Sequence, residues 1–186
     1  MRVIGGRFKN RLLKMPRGAH VRTTANLVKK GIFDVLNKDE ICGTRVLDLF
    51  AGSGAFGLEA LSYQAGRVVF VERRLNCIKI IKDNIAKLGR DLPAGVQVIK
   101  RDVFSVIKYY CNRGEIFDLV FLDPPYDKNL AKKCLIYLDE YAILHHHGII
   151  VAEHHKKEDL PQALNNIVLF KRKVYGDTAV DFYKCI

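Results

Sequence analysis

The tetrapeptide Asp123-Pro124-Pro125-Tyr126 carries residue types suited to chemistry, and it directly follows the apolar run 119–122. The Asp123 carboxylate and the Pro124 carbonyl can both accept hydrogen bonds from an NH2 group, which draws a delocalised lone pair back onto its nitrogen and aims it at an electrophile. The prolines stiffen the loop because each fixes φ and lacks an N–H, and Tyr126 can stack on an extruded base. The tetrapeptide therefore predicts methylation of an amine on a nucleobase, although a proline turn that closes a strand would contain the same residues.

A glycine-rich loop predicts a cofactor site. The segment Gly52-Ser53-Gly54-Ala55-Phe56-Gly57 follows an apolar strand and opens a helix, and Glu72 ends the next strand. This is the G-x-G-x-x-G pattern with its ribose-binding acid, in which glycine lets the backbone approach a ligand closely. The pattern serves any adenosine cofactor, whether NAD or S-adenosylmethionine. By itself it predicts a site and not a reaction.

Three further carboxylates favour S-adenosylmethionine. Asp48 precedes the turn, where it can engage the amino-acid end of that cofactor directly or through water, whereas beside a pyrophosphate it would be repelled. Asp102 ends the third strand and can accept a hydrogen bond from the adenine amino group, in addition to capping the following helix. Asp123 ends the fourth strand, and ligands of open α/β sheets bind at the carboxyl ends of strands, so these groups should converge. The predicted cofactor-binding residues are Asp48, Phe50, Ala51, Gly52, Ser53, Gly54, Glu72, Asp102 and Val103.

From residue 42 onward, strands alternate with helices, as in a parallel sheet that is covered on both faces. The last part of the chain has two apolar segments around Gly176-Asp177 with no room for a helix, so it should form an antiparallel hairpin at one edge. We therefore expect an α/β fold with a doubly wound, mostly parallel, seven-stranded Rossmann-like sheet. The predicted strands are 45–49, 68–72, 96–99, 117–122, 148–152, 168–174 and 179–184, and the predicted helices are 55–65, 75–88, 103–110 and 130–138.

Basic residues are concentrated at the beginning of a chain whose net charge is +11. Residues 1–33 contain nine lysines and arginines and no acid, which favours a polyanionic partner. The segment has no wide apolar face with large aromatics, so nucleic acid is favoured over a membrane surface. The predicted RNA-binding residues are Arg2, Arg7, Lys9, Arg11 and Arg22.

We expect this basic segment to be a short β extension over residues 1–20 followed by a helix from Thr23 or Thr24 to about Asn37. The chain then divides into an N-terminal extension, residues 1–40, and a cofactor-binding domain, residues 41–186. Removal of residues 1–20 should weaken RNA binding and leave cofactor binding intact. The competing expectation is that the extension is an edge strand that the fold requires.

Composition argues against several other classes. The 49% hydrophobic content supports a substantial core, and no apolar run is long enough for a transmembrane helix or a signal peptide. Five cysteines without a C-x-x-C pair argue against a disulfide framework or a zinc site, so a reducing cytoplasm is the simplest setting. Two histidine groups, 145–147 and 154–155, have only Glu153 as a nearby ligand, so we expect a solvated loop and a strand end there and no metal.

With these residues in place, the chain resembles the Class I S-adenosylmethionine-dependent methyltransferases, and more closely the RsmD-type 16S rRNA (guanine-N2)-methyltransferases. The resemblance covers essentially the whole length and implies methyl transfer to a guanine exocyclic amine, with ribosomal RNA, either free or within a small-subunit particle, as the partner. The chain departs from that family at Arg22-Thr23-Thr24, where Arg-Pro-Thr is usual. The matching segments are 2–6, 47–54, 57–61, 69–72, 123–126 and 175–178.

Other functions stay open at this point. An adenine-N6 DNA methyltransferase uses a similar Pro-Pro motif but usually carries a target-recognition domain, for which 186 residues leave little room. A non-catalytic RNA-binding protein on the same fold would not need Asp123, Tyr126 or Glu72. An NAD-dependent oxidoreductase would need a catalytic His, Lys or Tyr that the sequence does not clearly supply.

Overall fold

The computed structural model describes residues 1–16, 23–89, 91–125 and 129–186. The strands are β1 (Arg45–Leu49), β2 (Arg67–Val71), β3 (Gly95–Ile99), β4 (Phe117–Leu122), β5 (Leu144–His155), β6 (Ile167–Tyr175) and β7 (Thr178–Cys185). The helices are α1 (Thr23–Val35), α2 (Lys38–Ile41), α3 (Ala55–Ser62), α4 (Leu75–Leu88), α5 (Val103–Asn112) and α6 (Leu130–Tyr141).

One sheet of seven strands has the order β3-β2-β1-β4-β5-β7-β6. Strands β1 to β5 are parallel to one another. Strands β7 and β6 add an antiparallel hairpin beside β5 at one edge. The predicted fold class is confirmed, including its C-terminal hairpin.

The central strands are apolar along their length because helices cover both faces of the sheet. Helices α1, α3 and α4 pack on one face, where Ile32, Leu58 and Ile81 are buried in a common cluster. Helices α5 and α6 pack on the other face through buried residues such as Ile107 and Leu135. The two apolar layers hold the carboxyl ends of β1, β2, β3 and β4 at one end of the molecule.

Two segments differ from the sequence-based expectation. Strand β5 begins at Leu144, earlier than predicted, because the exposed histidines 145–147 belong to it. The register against β4 shifts between Phe117 and Leu119, and His147 has φ 69°, so this first part of β5 is irregular. The predicted strands of residues 1–20 reduce to one bridge, Arg2 with Leu12, within the part that the structure describes.

The N-terminal extension is part of the hydrophobic core. Val3, Phe8 and Leu13 are 1%, 6% and 3% exposed and belong to the same cluster as residues of α1, α3 and α4. The Ser62 hydroxyl at the end of α3 accepts a hydrogen bond from the Phe8 N–H at 2.9 Å. Removal of residues 1–20 would therefore expose core surface, which favours the expectation that the fold requires the extension.

A buried ion pair fastens the extension to two helices. Lys29 of α1 and Glu59 of α3 are 1% and 0% exposed, with Nζ and Oε2 2.8 Å apart. Glu59 also accepts hydrogen bonds from the N–H groups of Ile4 and Gly5, and the Lys29 ammonium donates to the Arg2 carbonyl at 2.6 Å. Buried charges are tolerated only when they are paired and hydrogen-bonded in this way. The same acid thus holds both α1 and the extension in place.

No helix within the described part of the chain combines the length and hydropathy that a membrane span requires.

Candidate active site

A cavity of about 660 Å³ opens at the carboxyl ends of β1, β2, β3 and β4. Its position follows from the parallel register, in which Leu49 lies beside both Val71 and Leu122, so that the segments after these strands leave the sheet side by side. A volume of this size is typical of small-molecule sites. The lining residues are Phe50, Gly52, Val71, Glu72, Arg73, Arg74, Arg101, Asp102, Val103, Phe104, Asp123, Pro124, Pro125 and Leu130.

The segment Asp123-Pro124-Pro125 comes directly after β4 and forms one wall of the cavity. Asp123 is half-buried, Pro124 is buried and Pro125 is exposed, and all three line the cavity. Burial raises the pKa of Asp123 to about 6, so its carboxyl group is mainly ionised at neutral pH. Tyr126 lies outside the described residues, and its role as a base-stacking ring stays a prediction.

The glycine loop after β1 has a backbone that most residues could not adopt. Gly54 has φ 80°, and a Cβ built there would lie 3.2 Å from the Phe70 ring. A Cβ built at Gly57 would lie 2.3 Å from the Phe70 ring. Helix α3 therefore packs on β2 only with glycine at this position. Phe50 lines the cavity with φ 61°, a conformation that a non-glycine residue adopts only where its surroundings enforce it.

Asp48 lies beneath the loop and is not among the residues that line the cavity. It is 1% exposed, and its carboxylate accepts a hydrogen bond from the Gly57 N–H at 3.0 Å. Burial, together with the charges of Asp123 and Glu72, raises the pKa of Asp48 to about 8 although the Gly57 bond opposes the change. The structure thus gives Asp48 a role in supporting the loop, and a water-mediated contact with a ligand stays a prediction.

Glu72 supports the same loop from β2. Its side chain is 4% exposed, and its carboxylate accepts hydrogen bonds from the Gly52 N–H at 3.1 Å and from the Arg73 and Arg74 N–H groups at 2.9 Å. The Arg74 guanidinium donates two further hydrogen bonds to this carboxylate, each 3.2 Å long. Burial acts to raise the pKa of Glu72, but the bonds from Arg74 and Arg73 outweigh it and hold that pKa below its ordinary value. A charged acid therefore faces the cavity.

We expect Glu72→Ala to weaken the binding of S-adenosylhomocysteine by at least about tenfold, because each charge-assisted hydrogen bond contributes about 1.5–3 kcal/mol. RNA affinity should stay nearly unchanged. Isothermal calorimetry measures the first quantity and filter binding the second. Glu72→Gln is the matched control because its amide oxygen can still accept from the Gly52 N–H. Its affinity for S-adenosylhomocysteine should lie between those of the wild type and Glu72→Ala. Unaltered affinity in Glu72→Ala would mean that this acid does not hold the ribose and that the cofactor site is misplaced.

Asp102 caps α5 and lines the cavity, and its hydrogen bond to the adenine amino group stays a prediction. Its Oδ1 caps α5 by accepting from the Phe104 N–H at 3.0 Å and from the Ser105 N–H at 3.4 Å. The cap uses one carboxylate oxygen, and Asp102 also lines the cavity. Capping therefore leaves Oδ2 able to accept a hydrogen bond from a ligand. Next to it, the Phe104 ring packs edge-on against Tyr137 with centroids 4.8 Å apart.

The predicted site residues fall into three groups. Phe50, Gly52, Glu72, Asp102, Val103, Asp123, Pro124 and Pro125 line the cavity, whereas Asp48, Ala51, Ser53 and Gly54 do not. Arg2, Arg7, Lys9 and Arg11 are exposed but do not line it, and Arg22 lies outside the described residues. Three arginines were missed, Arg73, Arg74 and Arg101. Their position directly beside Glu72 and Asp102 was the signal that could have identified them.

The basic residues of the extension lie along the flank of the molecule. Arg7 forms an ion pair with Asp91, and the Arg11 guanidinium donates to the Lys87 carbonyl at 2.6 Å. These contacts are with the last turn of α4 and the segment after it. Because α4 begins directly after the cavity-lining Arg74, these contacts are made near the end of that helix that lies farther from Arg74.

Within the part of the chain that the structure covers, no three potential metal-ligand side chains lie together, and the absence of a metal at the histidine groups stays a prediction. Histidines 145–147 are exposed. His154 is buried with Nε2 3.3 Å from Oδ2 of Asp181, and Arg172 donates two hydrogen bonds of 2.6 Å to the same carboxylate. His154 of β5 thus lies beside the Arg172–Asp181 ion pair, which joins β6 and β7.

Comparison with known proteins gives a family match over nearly the whole chain. The family model described as conserved hypothetical protein 95 matches residues 1–184. A Bacillus subtilis (strain 168) protein named "Putative rRNA methyltransferase YlbH" is 39% identical over 184 residues, which are 99% of this chain and 98% of that protein. The ribosomal RNA small subunit methyltransferase D of Escherichia coli (strain K12) is 31% identical over 185 residues, which are 99% of this chain and 89% of that protein.

Solved structures agree with the sequence comparison. The chain superposes on a structure titled "Putative methyltransferase yhhF from Escherichia coli" with a TM-score of 0.82 and 28% identity. The match covers 100% of this chain and 97% of the other. The extension, the sheet and the C-terminal hairpin are therefore all part of the shared architecture.

Proposed function

The chain belongs to the family described as conserved hypothetical protein 95, and from that premise we propose that it transfers a methyl group from S-adenosylmethionine to the exocyclic N2 amine of a guanine in small-subunit ribosomal RNA. The observation that carries the proposal is the position of Asp123 and Pro124, which line the same cavity as Glu72 and Asp102. A group that can orient an amine thus borders a site that can hold an adenosine cofactor. The partner is ribosomal RNA in the cytoplasm.

The cavity residues fit S-adenosylmethionine by their chemistry. Glu72 is charged and faces the cavity, where ribose hydroxyls can donate to it. Asp102 has a carboxylate oxygen that the helix cap does not use and that can accept from the adenine amino group. Gly52 lines the cavity without a side chain, and the ionised carboxylates of Glu72 and Asp123 on the same wall favour a cation over a pyrophosphate.

The cofactor supplies an electrophilic methyl group carried on a sulfonium, so the protein contributes mainly proximity and orientation. The ionised Asp123 carboxylate and the Pro124 carbonyl accept hydrogen bonds from the two N–H groups of the amine. This directs the nitrogen lone pair into the cavity. Asp123 need not be a strong base, because an amine that has gained a methyl group and a positive charge loses a proton readily to the carboxylate or to water.

RNA recognition is divided, in this proposal, between the cavity and the flank. Arg2, Lys9 and Arg11 are exposed on the extension, where they can neutralise phosphates. None of the three lines the cavity, so they would hold RNA backbone outside the reacting site. Arg73, Arg74 and Arg101 are exposed at the cavity itself and can contact phosphates near that base.

Nucleoside mass spectrometry tests the reaction. We would incubate the purified protein with labelled S-adenosylmethionine and, in separate reactions, naked 16S rRNA, small-subunit particles from cells that lack the gene, or duplex DNA. The nucleic acid from each reaction would then be digested to nucleosides. N2-methylguanosine is the expected product. N6-methyladenine in DNA would instead favour the adenine enzyme, and no methylated product from any of these substrates would favour a non-catalytic protein.

We also expect a defined pH dependence. The pKa of Asp123 is raised to about 6, so its protonated form, which cannot accept from the amine in the same way, prevails below that pH. The single-turnover rate of methyl transfer should therefore be level above pH 7 and fall about tenfold for each pH unit below the pKa. Asp123→Asn cannot titrate, so its lower rate should not change over this range. An Asp123→Asn variant with the wild-type pH profile would contradict the assignment.

A further inference from the structure

The buried side chain of Asn84 connects the glycine loop to the N-terminal extension. Asn84 lies in α4 and is 0% exposed. Its Nδ2 donates to the Ser53 carbonyl and to the Lys14 carbonyl, both at 3.0 Å, and its Oδ1 accepts from the Lys14 N–H at 2.7 Å. Both donor hydrogens of the amide and one of its acceptor sites are therefore in use.

Each end of this connection belongs to a segment with a proposed function. On one side, Ser53 stands between Gly52, which lines the cavity and is held by Glu72, and Gly54, whose φ is 80°. A shift of the Ser53 carbonyl would therefore move the wall of the cofactor cavity. On the other side, Lys14 belongs to the basic extension, and its ammonium forms an exposed ion pair with Asp83 at 2.7 Å.

The two segments are constrained to move together. Buried amide groups are costly to leave without partners. If the extension shifted at Lys14, Asn84 would either lose two of its three bonds or follow the shift and disturb Ser53. Ile81 and Leu88, which are 0% and 2% exposed, fix α4 against the sheet. The Asn84 amide therefore has little freedom to move to other hydrogen-bond partners.

We propose that Asn84 is a positioning residue that couples the extension to the glycine loop, so that RNA on the extension and cofactor in the cavity each raise the affinity for the other. This inference rests on the proposed function, because it requires RNA to bind the extension. Coupling between two binding sites is reciprocal, so it can be measured from either ligand.

The experiment measures the affinity for S-adenosylhomocysteine with and without saturating 16S rRNA transcript. In the wild type we expect RNA to raise that affinity by at least about fivefold, the lower end of ordinary allosteric coupling. In Asn84→Ala and Asn84→Ser, the affinity for S-adenosylhomocysteine should fall. The ratio of the affinities measured with and without RNA should approach one. Direct contact between the base and the cofactor would survive these substitutions, so a fully retained ratio overturns the inference.

Two variants control for a general loss of stability. Ile167→Ala removes a buried side chain of β6, which is 1% exposed and belongs to the apolar cluster on the other face of the sheet. It should lower Tm but keep the wild-type ratio of the two affinities. Asp83→Asn removes the exposed ion pair of Lys14 and leaves the amide contacts intact, so it should also keep that ratio. If Ile167→Ala loses the coupling as fully as Asn84→Ala does, Asn84 acts only through stability and the inference is wrong.

Hydrogen exchange in the wild type provides a test that needs no variant. Binding of RNA without cofactor should slow exchange at the Gly54 amide, which donates to the Ala51 carbonyl within the loop. Unchanged exchange at this amide would overturn the inference. An RNA that does not bind the wild type contradicts the proposed function, whereas an RNA that binds and is methylated without any coupling contradicts only the role of Asn84.

Discussion

Replacement of Asp123 by alanine is expected to lower the single-turnover rate of methyl transfer at least about a thousandfold, which corresponds to roughly 4 kcal/mol of activation free energy. The amine would lose the charged acceptor that directs its lone pair, and only the Pro124 carbonyl would remain. Orientation effects of this size are common in enzymes. The rate is measured with enzyme in excess over 16S rRNA, by transfer of label from S-adenosylmethionine.

Cofactor binding is the control for this variant. Asp123 lines the cavity together with Glu72 and Asp102, but it faces the nucleophile in our proposal, so affinity for S-adenosylhomocysteine should stay within a few-fold. Asp123→Asn keeps the size and one acceptor oxygen, and its rate should lie between those of the wild type and Asp123→Ala. A rate in Asp123→Ala within tenfold of the wild type would remove Asp123 from the mechanism.

Loss of the Lys29 charge is expected to have the largest effect on stability. In Lys29→Met, Glu59 would be buried without its counterion, and breaking a buried pair in this way costs about 3–5 kcal/mol. For a protein of this size that corresponds to a Tm lower by roughly 6–20 °C. Calorimetric or fluorescence melting measures the change.

Two matched variants test whether the unpaired charge of Glu59 causes the loss of stability in Lys29→Met. Lys29→Met combined with Glu59→Gln removes the unpaired charge but keeps an acceptor for the Ile4 and Gly5 N–H groups, so it should recover much of the lost stability. Lys156→Met breaks an exposed ion pair, with Asp177 at 2.9 Å, and should change stability by less than about 1 kcal/mol. The interpretation is wrong if Lys29→Met is no more destabilised than Lys156→Met.

The sheet and the carboxyl ends of β1 to β4 could be predicted from the sequence because they depend on local patterns. The apolar run 117–122 and the helix 75–88, which ends before Gly89 with φ 104°, have the predicted bounds. Periodicity and helix-ending residues act over a few positions, so the sequence contains them directly. The meeting of Gly52, Glu72 and Asp123 was equally predictable, since parallel strands bring their carboxyl ends to one edge.

Only the tertiary structure decided which of those residues face the cavity and what holds them there. Asp48 lies in the predicted strand, yet packing of α3 against β2 through Gly57 places its carboxylate beneath the loop. The basic extension carries charges typical of an RNA-binding arm, but Val3, Phe8 and Leu13 are buried in the core. Hydrogen bonds such as those from Ile4 to Glu59 and from Lys14 to Asn84 join residues 55 and 70 positions apart. No periodicity encodes contacts at such separations, because they arise only when helices pack on the completed sheet.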